Sequence, residues 1–123
     1  MTAGRPPRIL VVDDERALRS LVVRALRIDY DVTEAGDGDE AWALAQRTPF
    51  DLVVTDNRMP GMSGTQLAGR LQTIHPLLPV LHLSGSHGMG EPTTPDVPTL
   101  FKPFEIDDLL AAVRALLPTR PVL

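Results

Sequence analysis

The chain contains no cysteine among its 123 residues. This absence excludes a disulfide framework, a thiolate nucleophile and a zinc–thiolate site, and it is compatible with a reducing compartment. No apolar run approaches the roughly 20 residues that a membrane-spanning helix requires, and the run that follows MTAGRPPR is too short for a secretory signal peptide. We therefore expect a cytoplasmic location and no direct contact with a membrane.

Positive charge is scarce and scattered. The net charge is -4 at pH 7, only one of the twelve basic side chains is a lysine, and aromatic residues make up 4% of the sequence. A protein that binds the phosphate backbone of nucleic acid needs a clustered basic surface, which this sequence lacks. We therefore expect no nucleic-acid partner.

The length and the pattern of apolar residues predict one α/β domain. At 123 residues with 43% hydrophobic content, the chain has room for a single core. Unbroken apolar runs, typical of buried parallel strands, alternate with apolar residues at helical spacing. Strands are predicted at 9–12, 31–34, 52–55, 80–83 and 99–101, and helical spacing is found at 18–26, 41–45, 67–74 and 106–117. This alternation predicts a parallel sheet with right-handed crossovers.

Polar side chains follow four of the predicted strands at the point where each strand ends. They are Asp13 and Asp14, Asp56, Ser84 and Lys102. Because parallel strands end at the same edge of a sheet, we expect these groups to share one crevice. Several carboxylates with open water positions suit Mg²⁺, which commonly accompanies a phosphoryl group. The ammonium of Lys102, the only lysine, is a compact charge suited to a phosphoryl oxygen.

The segments that carry these residues resemble the response-regulator receiver domain, the phosphoacceptor module of two-component signalling. They are ILVVDDE, LVVTDNRMPGMSG, LHLSG and FKPF, and the resemblance extends from Ile9 to about Leu117. It implies a flavodoxin-like, doubly wound five-stranded parallel sheet in the order 2-1-3-4-5. The expected domain limits are a disordered lead-in at 1–8, the receiver domain at 9–118 and a tail at 119–123.

The resemblance also implies a role for each strand-end residue. Asp56 resembles the aspartate that accepts a phosphoryl group from a partner histidine kinase or histidine phosphotransfer protein. The implied Mg²⁺ ligands are Asp13, Asp14, Asp56 and the backbone carbonyl of Arg58. Ser84 matches the switch hydroxyl, and Lys102 matches the lysine that pairs with the phosphoryl group. Such a domain is a signalling phosphoacceptor that assists its own phosphorylation and dephosphorylation, and it is not an enzyme in the usual sense.

Two features depart from the family pattern. Thr99 stands where the family usually has an aromatic residue, three positions before the lysine. The interval from Ser84 to Lys102 is about one helical turn shorter than usual, and GSHGMGEPTTPDVP contains three glycines and three prolines. We therefore predict that the fourth helix of the family is degenerate or missing and that Gly85–Pro98 is a mobile loop. The usual dimer face, which includes that helix, would then be compromised.

Simpler interpretations of individual residues remain open. Asp14 could be the N-cap of the first helix, Asp56 a turn residue and Lys102 a solvated surface lysine. The arginines of the first helix are interpreted as a solvated face; they are Arg16, Arg19, Arg24 and Arg27.

Other functions remain open as well. A pseudo-receiver would keep the fold as a binding module without phosphorylation. A small Mg²⁺-dependent phosphohydrolase is a further alternative, although Arg58 stands where the haloacid dehalogenase pattern has a second aspartate. A receiver of this kind could be free-standing or part of a longer hybrid kinase in a phosphorelay.

Overall fold

Five short parallel strands form one sheet in the order β2-β1-β3-β4-β5 in the computed structural model, which describes residues 5–85 and 97–117. The strands are β1 (Arg8–Val12), β2 (Asp31–Ala35), β3 (Leu52–Asp56), β4 (Val80–Ser84) and β5 (Thr99–Phe101). β1 and β3 lie inside the sheet with both faces covered, so their sequences are continuous apolar runs. The predicted fold and strand order are confirmed.

Four helices cover the two faces of the sheet in the described part of the chain. They are α1 (Arg16–Leu26), α2 (Gly38–Arg47), α3 (Gly64–Ile74) and α4 (Ile106–Leu116). α1 and α4 pack on one face through a core that includes Val22 and Leu109. α2 and α3 pack on the other through a core that includes Ala41 and Leu67. Alternate residues of each central strand enter these two cores, which makes the fold doubly wound.

Part of the sequence prediction falls outside the described residues. The fourth helix in chain order, α4, is the one that the spacing at 106–117 predicts. The loop predicted at Gly85–Pro98 covers residues 86–96, which lie outside the described residues, as do most of the predicted lead-in and tail. The degenerate helix, the altered dimer face and the domain limits therefore stay predictions.

Local side-chain chemistry determines where α3 begins. The Ser63 hydroxyl accepts a hydrogen bond from the Gln66 backbone N–H at 3.1 Å, and the Gln66 side chain accepts one from the Ser63 N–H at 3.0 Å. This reciprocal capping box satisfies two backbone donors that would otherwise have no partner in the helix. Ser63 is therefore the N-cap of α3.

The first residue of α3, Gly64, lies directly against the end of β3. A Cβ atom at Gly64 would lie 2.5 Å from the backbone oxygen of Asp56 and 3.0 Å from the Cα of Asn57. Both atoms belong to the backbone, so neither can move aside at low cost. The helix can start this close to Asp56 only because residue 64 has no side chain.

We expect Gly64→Ala to destabilise the fold by about 2 kcal/mol, because the added methyl group forces α3 and the Asp56 backbone apart. Gly69→Ala is the matched control, since Gly69 lies in the exposed interior of the same helix and a Cβ there would meet no atom within 4 Å. That change should stabilise the protein by about 0.5–1 kcal/mol through helix propensity. Urea unfolding of the two variants measures both effects. Equal stability of the two variants would contradict the close contact at Gly64.

Candidate functional site

The register of the sheet brings the predicted site residues to one edge. Val12 pairs with Thr55, so the next residues of the two neighbouring strands, Asp13 and Asp56, lie side by side. Beyond β3, the Asn57 N–H donates to the Leu83 carbonyl at 3.0 Å, next to Ser84 at the end of β4. These parallel strands end together, as their continuous pairing requires.

The lysine is fixed to this edge by its own backbone. The Lys102 N–H donates to the Ser84 carbonyl at 2.7 Å, which places the residue directly beyond β5. Its side chain therefore starts from the same edge as the acidic residues, although it is 46 positions from Asp56 in sequence.

Three carboxylates form a compact cluster at this edge. Asp13, Asp14 and Asp56 each offer an oxygen atom, and these atoms lie within 4.8 Å of one another. Asp13 is 1% exposed and Asp56 is 7% exposed, whereas Asp14 is exposed to solvent. The cluster thus extends from the protein interior, at Asp13, to the surface, at Asp14.

Asp13 is the most buried of the three carboxylates. Its Oδ1 accepts a hydrogen bond from the Glu15 N–H at 2.9 Å, but its buried Oδ2 has no hydrogen-bond partner in the described structure. Burial raises the pKa of the Asp13 carboxyl, and the charges of Asp56 and Asp14 raise it further. The hydrogen bond from Glu15 and the Lys102 ammonium lower the pKa in part. A buried carboxylate with an unused oxygen beside two other carboxylates fits a divalent cation.

Asp14 is not the cap of α1. The N-cap residue is Glu15, and its side chain makes no capping hydrogen bond. The acid that contacts the backbone at the start of α1 is Asp13, whose carboxylate accepts a hydrogen bond from the Glu15 N–H. The helix-cap interpretation of Asp14 is therefore wrong, and its carboxylate remains at the cluster.

The Lys102 ammonium forms an ion pair with Asp56. Its Nζ lies 2.9 Å from Asp56 Oδ1, and both side chains are largely removed from solvent. The interpretation of Lys102 as a solvated surface lysine is wrong. A partly buried cation at this distance forms a charge-assisted hydrogen bond with Asp56 and offers a donor to any anion attached there.

Ser84 is buried at the end of β4, at the same edge of the sheet. Its backbone carbonyl accepts the hydrogen bond that fixes Lys102. The structure thus places Ser84 among the predicted site residues, while the switch role of its hydroxyl and the ligand role of the Arg58 carbonyl stay predictions.

The turn after Asp56 is held by two hydrogen bonds that the sequence did not reveal. The Thr65 hydroxyl donates to Asn57 Oδ1 at 2.9 Å, and the Gly64 N–H donates to the Asn57 carbonyl at 3.0 Å. On the strand side, the Thr55 hydroxyl donates to the Asp56 carbonyl at 3.0 Å. These contacts fix the backbone on both sides of Asp56. The pairing of Asn57 with Thr65 could not be predicted, since it depends on the angle at which α3 leaves the turn.

Arg19 is the functional candidate that the sequence missed most clearly. Its guanidinium Nη1 donates to the backbone carbonyl of Asp13 at 2.7 Å, and its Nε pairs with Glu34 at 2.9 Å. Its side chain is 18% exposed. The interpretation of Arg19 as part of a solvated arginine face is therefore wrong. The helical spacing alone gives no signal, because it treats all four arginines of α1 as equivalent.

Thr99 occupies the position where an aromatic residue was expected from the family pattern. It pairs in register with His82 of β4, and its hydroxyl donates to the Val97 carbonyl at 3.1 Å. His82 is buried, and this burial lowers the pKa of its imidazole. Phe101, the nearest aromatic residue, is exposed.

Comparison with known proteins identifies related sequences. A family model described as the response regulator receiver domain matches residues 9–114. The chain is 39% identical over 119 residues to the probable transcriptional regulatory protein TcrX of Mycobacterium tuberculosis, covering 93% of this chain and 51% of TcrX. It is 34% identical over 115 residues to the response regulator receiver protein CpdR of Brucella abortus, covering 89% of this chain and 96% of CpdR. The chain thus spans about half the length of TcrX.

Solved structures share the fold over almost the whole chain. The chemotaxis protein CheY4 of Vibrio cholerae gives a TM-score of 0.81 at 29% identity, covering 91% of this chain and 99% of that one. The receiver domain from the hybrid histidine kinase CckA gives a TM-score of 0.78 at 36% identity, covering 90% of this chain and 99% of that one. None of the helices in the described residues has the length and apolar character needed to cross a bilayer.

Proposed function

Because this chain belongs to the response regulator receiver domain family, we propose that it accepts a phosphoryl group on Asp56 in a reaction that depends on Mg²⁺. Receiver domains are signalling domains and not classical enzymes. The observation that carries the proposal is the position of Asp56, which lies in the three-carboxylate cluster and pairs with Lys102 at 2.9 Å. A carboxylate in this setting is oriented and lies next to a cation, as nucleophilic attack on phosphorus requires.

Each residue around Asp56 would have a separate role in the phosphoryl transfer. A carboxylate oxygen of Asp56 attacks the phosphorus in line, the bond from phosphorus to the donor nitrogen or oxygen breaks, and an acyl phosphate forms. The Lys102 ammonium holds Asp56 beforehand and binds a phosphoryl oxygen afterwards, and the Ser84 hydroxyl donates to another. Asp13, Asp14, Asp56 and the Arg58 carbonyl would hold Mg²⁺, which when bound neutralises charge on the transferring group. Later attack by water on the phosphorus breaks the bond to the Asp56 oxygen, releases inorganic phosphate and restores the carboxylate.

The direct test is phosphorylation of the purified chain. We expect incubation with acetyl phosphate and Mg²⁺ to add the mass of one phosphoryl group, and we expect a chelator to prevent the addition. Beryllofluoride, a mimic of the phosphoryl group, should bind under the same conditions and shift the amide NMR signals around Asp56. A pseudo-receiver would bind neither Mg²⁺ nor the mimic. Absence of both the mass increase and mimic binding at saturating Mg²⁺ would refute the proposal.

Lys102→Gln should separate metal binding from phosphoryl transfer. Loss of the ammonium leaves the three carboxylates less neutralised, so we expect Mg²⁺ affinity to rise about threefold or more. The rate of labelling by acetyl phosphate should fall by about tenfold or more, because the cation that stabilises the phosphoryl oxygens is gone. Isothermal titration calorimetry and timed mass spectrometry measure the two effects.

Arg114→Gln is the matched control for this change, since it removes one positive charge from an exposed position in the last turn of α4. Neither Mg²⁺ affinity nor labelling should change in it. A Lys102→Gln variant that loses Mg²⁺ affinity and labelling together would indicate that Lys102 supports the fold of the site and not the transfer.

We also propose that the donor is the phosphohistidine of a histidine kinase or of a histidine phosphotransfer protein, and that phosphorylation is transmitted through protein–protein contacts. The likeness to the receiver domain of the hybrid histidine kinase CckA supports a phosphorelay. Comparing the rates at which purified kinases and phosphotransfer proteins label this chain would test the donor class. Labelling by small phosphodonors alone would contradict it.

A further inference from the structure

Arg19 joins three elements at the edge of the candidate site. It extends from α1, donates through Nη1 to the Asp13 carbonyl at the end of β1, and pairs through Nε with Glu34 of β2. A Cβ atom at Gly36, just beyond β2, would lie 3.4 Å from Nη1, so the guanidinium is also covered by the backbone on that side. An arginine that is held at two of its nitrogens and largely buried has one orientation.

The contact of Arg19 with the Asp13 carbonyl affects the orientation of both Asp13 and Asp14. The carbonyl that Arg19 binds belongs to the peptide unit between Asp13 and Asp14, so its orientation affects the directions of both side chains. The Asp13 N–H donates to the Ala35 carbonyl at 3.2 Å, and Asp13 Oδ1 accepts from the Glu15 N–H. With these groups fixed, the remaining oxygen, Oδ2, is the buried atom without a partner in the described structure.

The role of the guanidinium follows from its geometry, because its hydrogen bond is to the backbone carbonyl of Asp13. Arg19 contacts the backbone side of Asp13 and is paired with the carboxylate of Glu34 at 2.9 Å. Loss of Arg19 would therefore leave the acidic cluster with the same charge but free the peptide unit that orients two of its members.

We propose that Arg19 is a positioning residue that sets the Mg²⁺ affinity of the site by fixing the Asp13–Asp14 peptide unit, and that Glu34 holds Arg19 in place. This inference rests on the proposed function. A residue that orients a metal ligand commonly changes metal affinity by about 10- to 100-fold when it is removed. If Arg19 only held α1 against the sheet, its removal would lower the stability of the fold and leave the Mg²⁺ affinity of the folded molecules unaltered.

The test is a set of Mg²⁺ titrations by calorimetry on the full chain, at a temperature where every variant is folded. We expect Arg19→Ala to weaken Mg²⁺ binding about tenfold or more, and Arg19→Lys to recover part of the loss because it keeps one donor for the carbonyl. Glu34→Ala should weaken binding about threefold, since Arg19 then loses one of its two anchors. Arg24→Ala, an exposed arginine of the same helix, should bind Mg²⁺ like the wild type.

A second measurement separates positioning from general damage. In Arg19→Ala, the Mg²⁺ concentration that gives half-maximal labelling by acetyl phosphate should rise by the same factor as the dissociation constant. The rate at saturating Mg²⁺ should stay close to that of the wild type. A loss of rate at saturating Mg²⁺ with no shift in the half-maximal concentration would overturn the inference.

The remaining outcomes also decide the question. Wild-type Mg²⁺ affinity in Arg19→Ala would overturn the inference and show that Arg19 only connects α1 to the sheet. Should Arg19→Ala fail to fold, wild-type affinity in Glu34→Ala, whose side chain is 43% exposed, would overturn the inference in the same way. Weakened Mg²⁺ binding in these variants, together with no labelling of the wild type at Asp56, would support the positioning role and refute the proposed phosphoryl transfer.

Discussion

Asp56→Asn is expected to reduce labelling by acetyl phosphate to background. The amide has nearly the shape of the carboxylate, and its oxygen can still accept a hydrogen bond from the Lys102 ammonium that lies 2.9 Å from Asp56 Oδ1. It lacks the ionised oxygen that attacks phosphorus, so the chemical step cannot occur even though the site keeps its outline. Mass spectrometry after incubation with Mg²⁺ and the phosphodonor gives the result directly.

A matched control guards against a nonspecific effect of removing an acid. Asp29→Asn changes an exposed aspartate in the turn between α1 and β2. This turn precedes the N-terminal end of β2, whereas the carboxylate cluster lies at the C-terminal ends of the strands. This variant should be labelled like the wild type. Full labelling retained in Asp56→Asn would place the phosphoryl group on another residue and refute the assignment.

Asp13→Asn is expected to have two opposite effects on stability, depending on the metal. Without Mg²⁺ the variant should be more stable than the wild type at neutral pH by about 1–3 kcal/mol, because it removes a buried carboxylate with an unpartnered oxygen. With Mg²⁺ at high concentration the wild type should gain stability from binding, whereas the variant should gain little. We expect the dissociation constant for Mg²⁺ to rise by at least about tenfold.

The pH dependence follows from the direction of the pKa shift. Burial raises the pKa of Asp13 above its ordinary value of 3.8, so the folded protein holds the proton more tightly than the unfolded chain does. The contribution of Asp13 to stability is therefore fully present below the unfolded pKa and is lost as the pH rises through the folded pKa. The advantage of Asp13→Asn in the absence of metal should grow over this interval and then become constant.

Urea unfolding across this pH range, with a chelator and then with saturating Mg²⁺, measures both effects. Asp29→Asn again serves as the control and should follow the wild type at each pH. A metal-free Asp13→Asn that is less stable than the wild type at neutral pH would show that burial does not dominate the energetics of this carboxylate.

Much of the fold and the location of the site could be predicted from the sequence because both depend on simple periodic features. Continuous apolar runs identify strands that are buried on both faces, and alternation with helical spacing requires them to be parallel. Parallel strands must end together, which is why Asp13, Asp56 and Lys102 could be placed at one edge although they are far apart in the chain. The carboxylate cluster within 4.8 Å and the ion pair at 2.9 Å agree with that placement.

The contacts that could not be predicted depend on how the helices lie against the sheet. Arg19 differs from the other arginines of α1 only because the packing of that helix directs its guanidinium towards Asp13 and Glu34. The close approach of Gly64 to the Asp56 carbonyl likewise exists only in the folded molecule. Asp14 was a reasonable helix cap by residue type, but α1 begins at Arg16, one residue too late for Asp14 to occupy the N-cap position.

The site residues are carried by strands that differ in position and length, and therefore in local stability. Asp13 and Asp56 follow strands in the interior of the sheet, whereas Lys102 follows a three-residue strand at its edge that is only partly buried. Native proteins open locally at different free energies, and the amide protons of short edge strands exchange with solvent through smaller openings than those of central strands. We therefore expect β5 to open locally more often than β1 and β3, so that the ion pair between Lys102 and Asp56 can break without global unfolding of the domain.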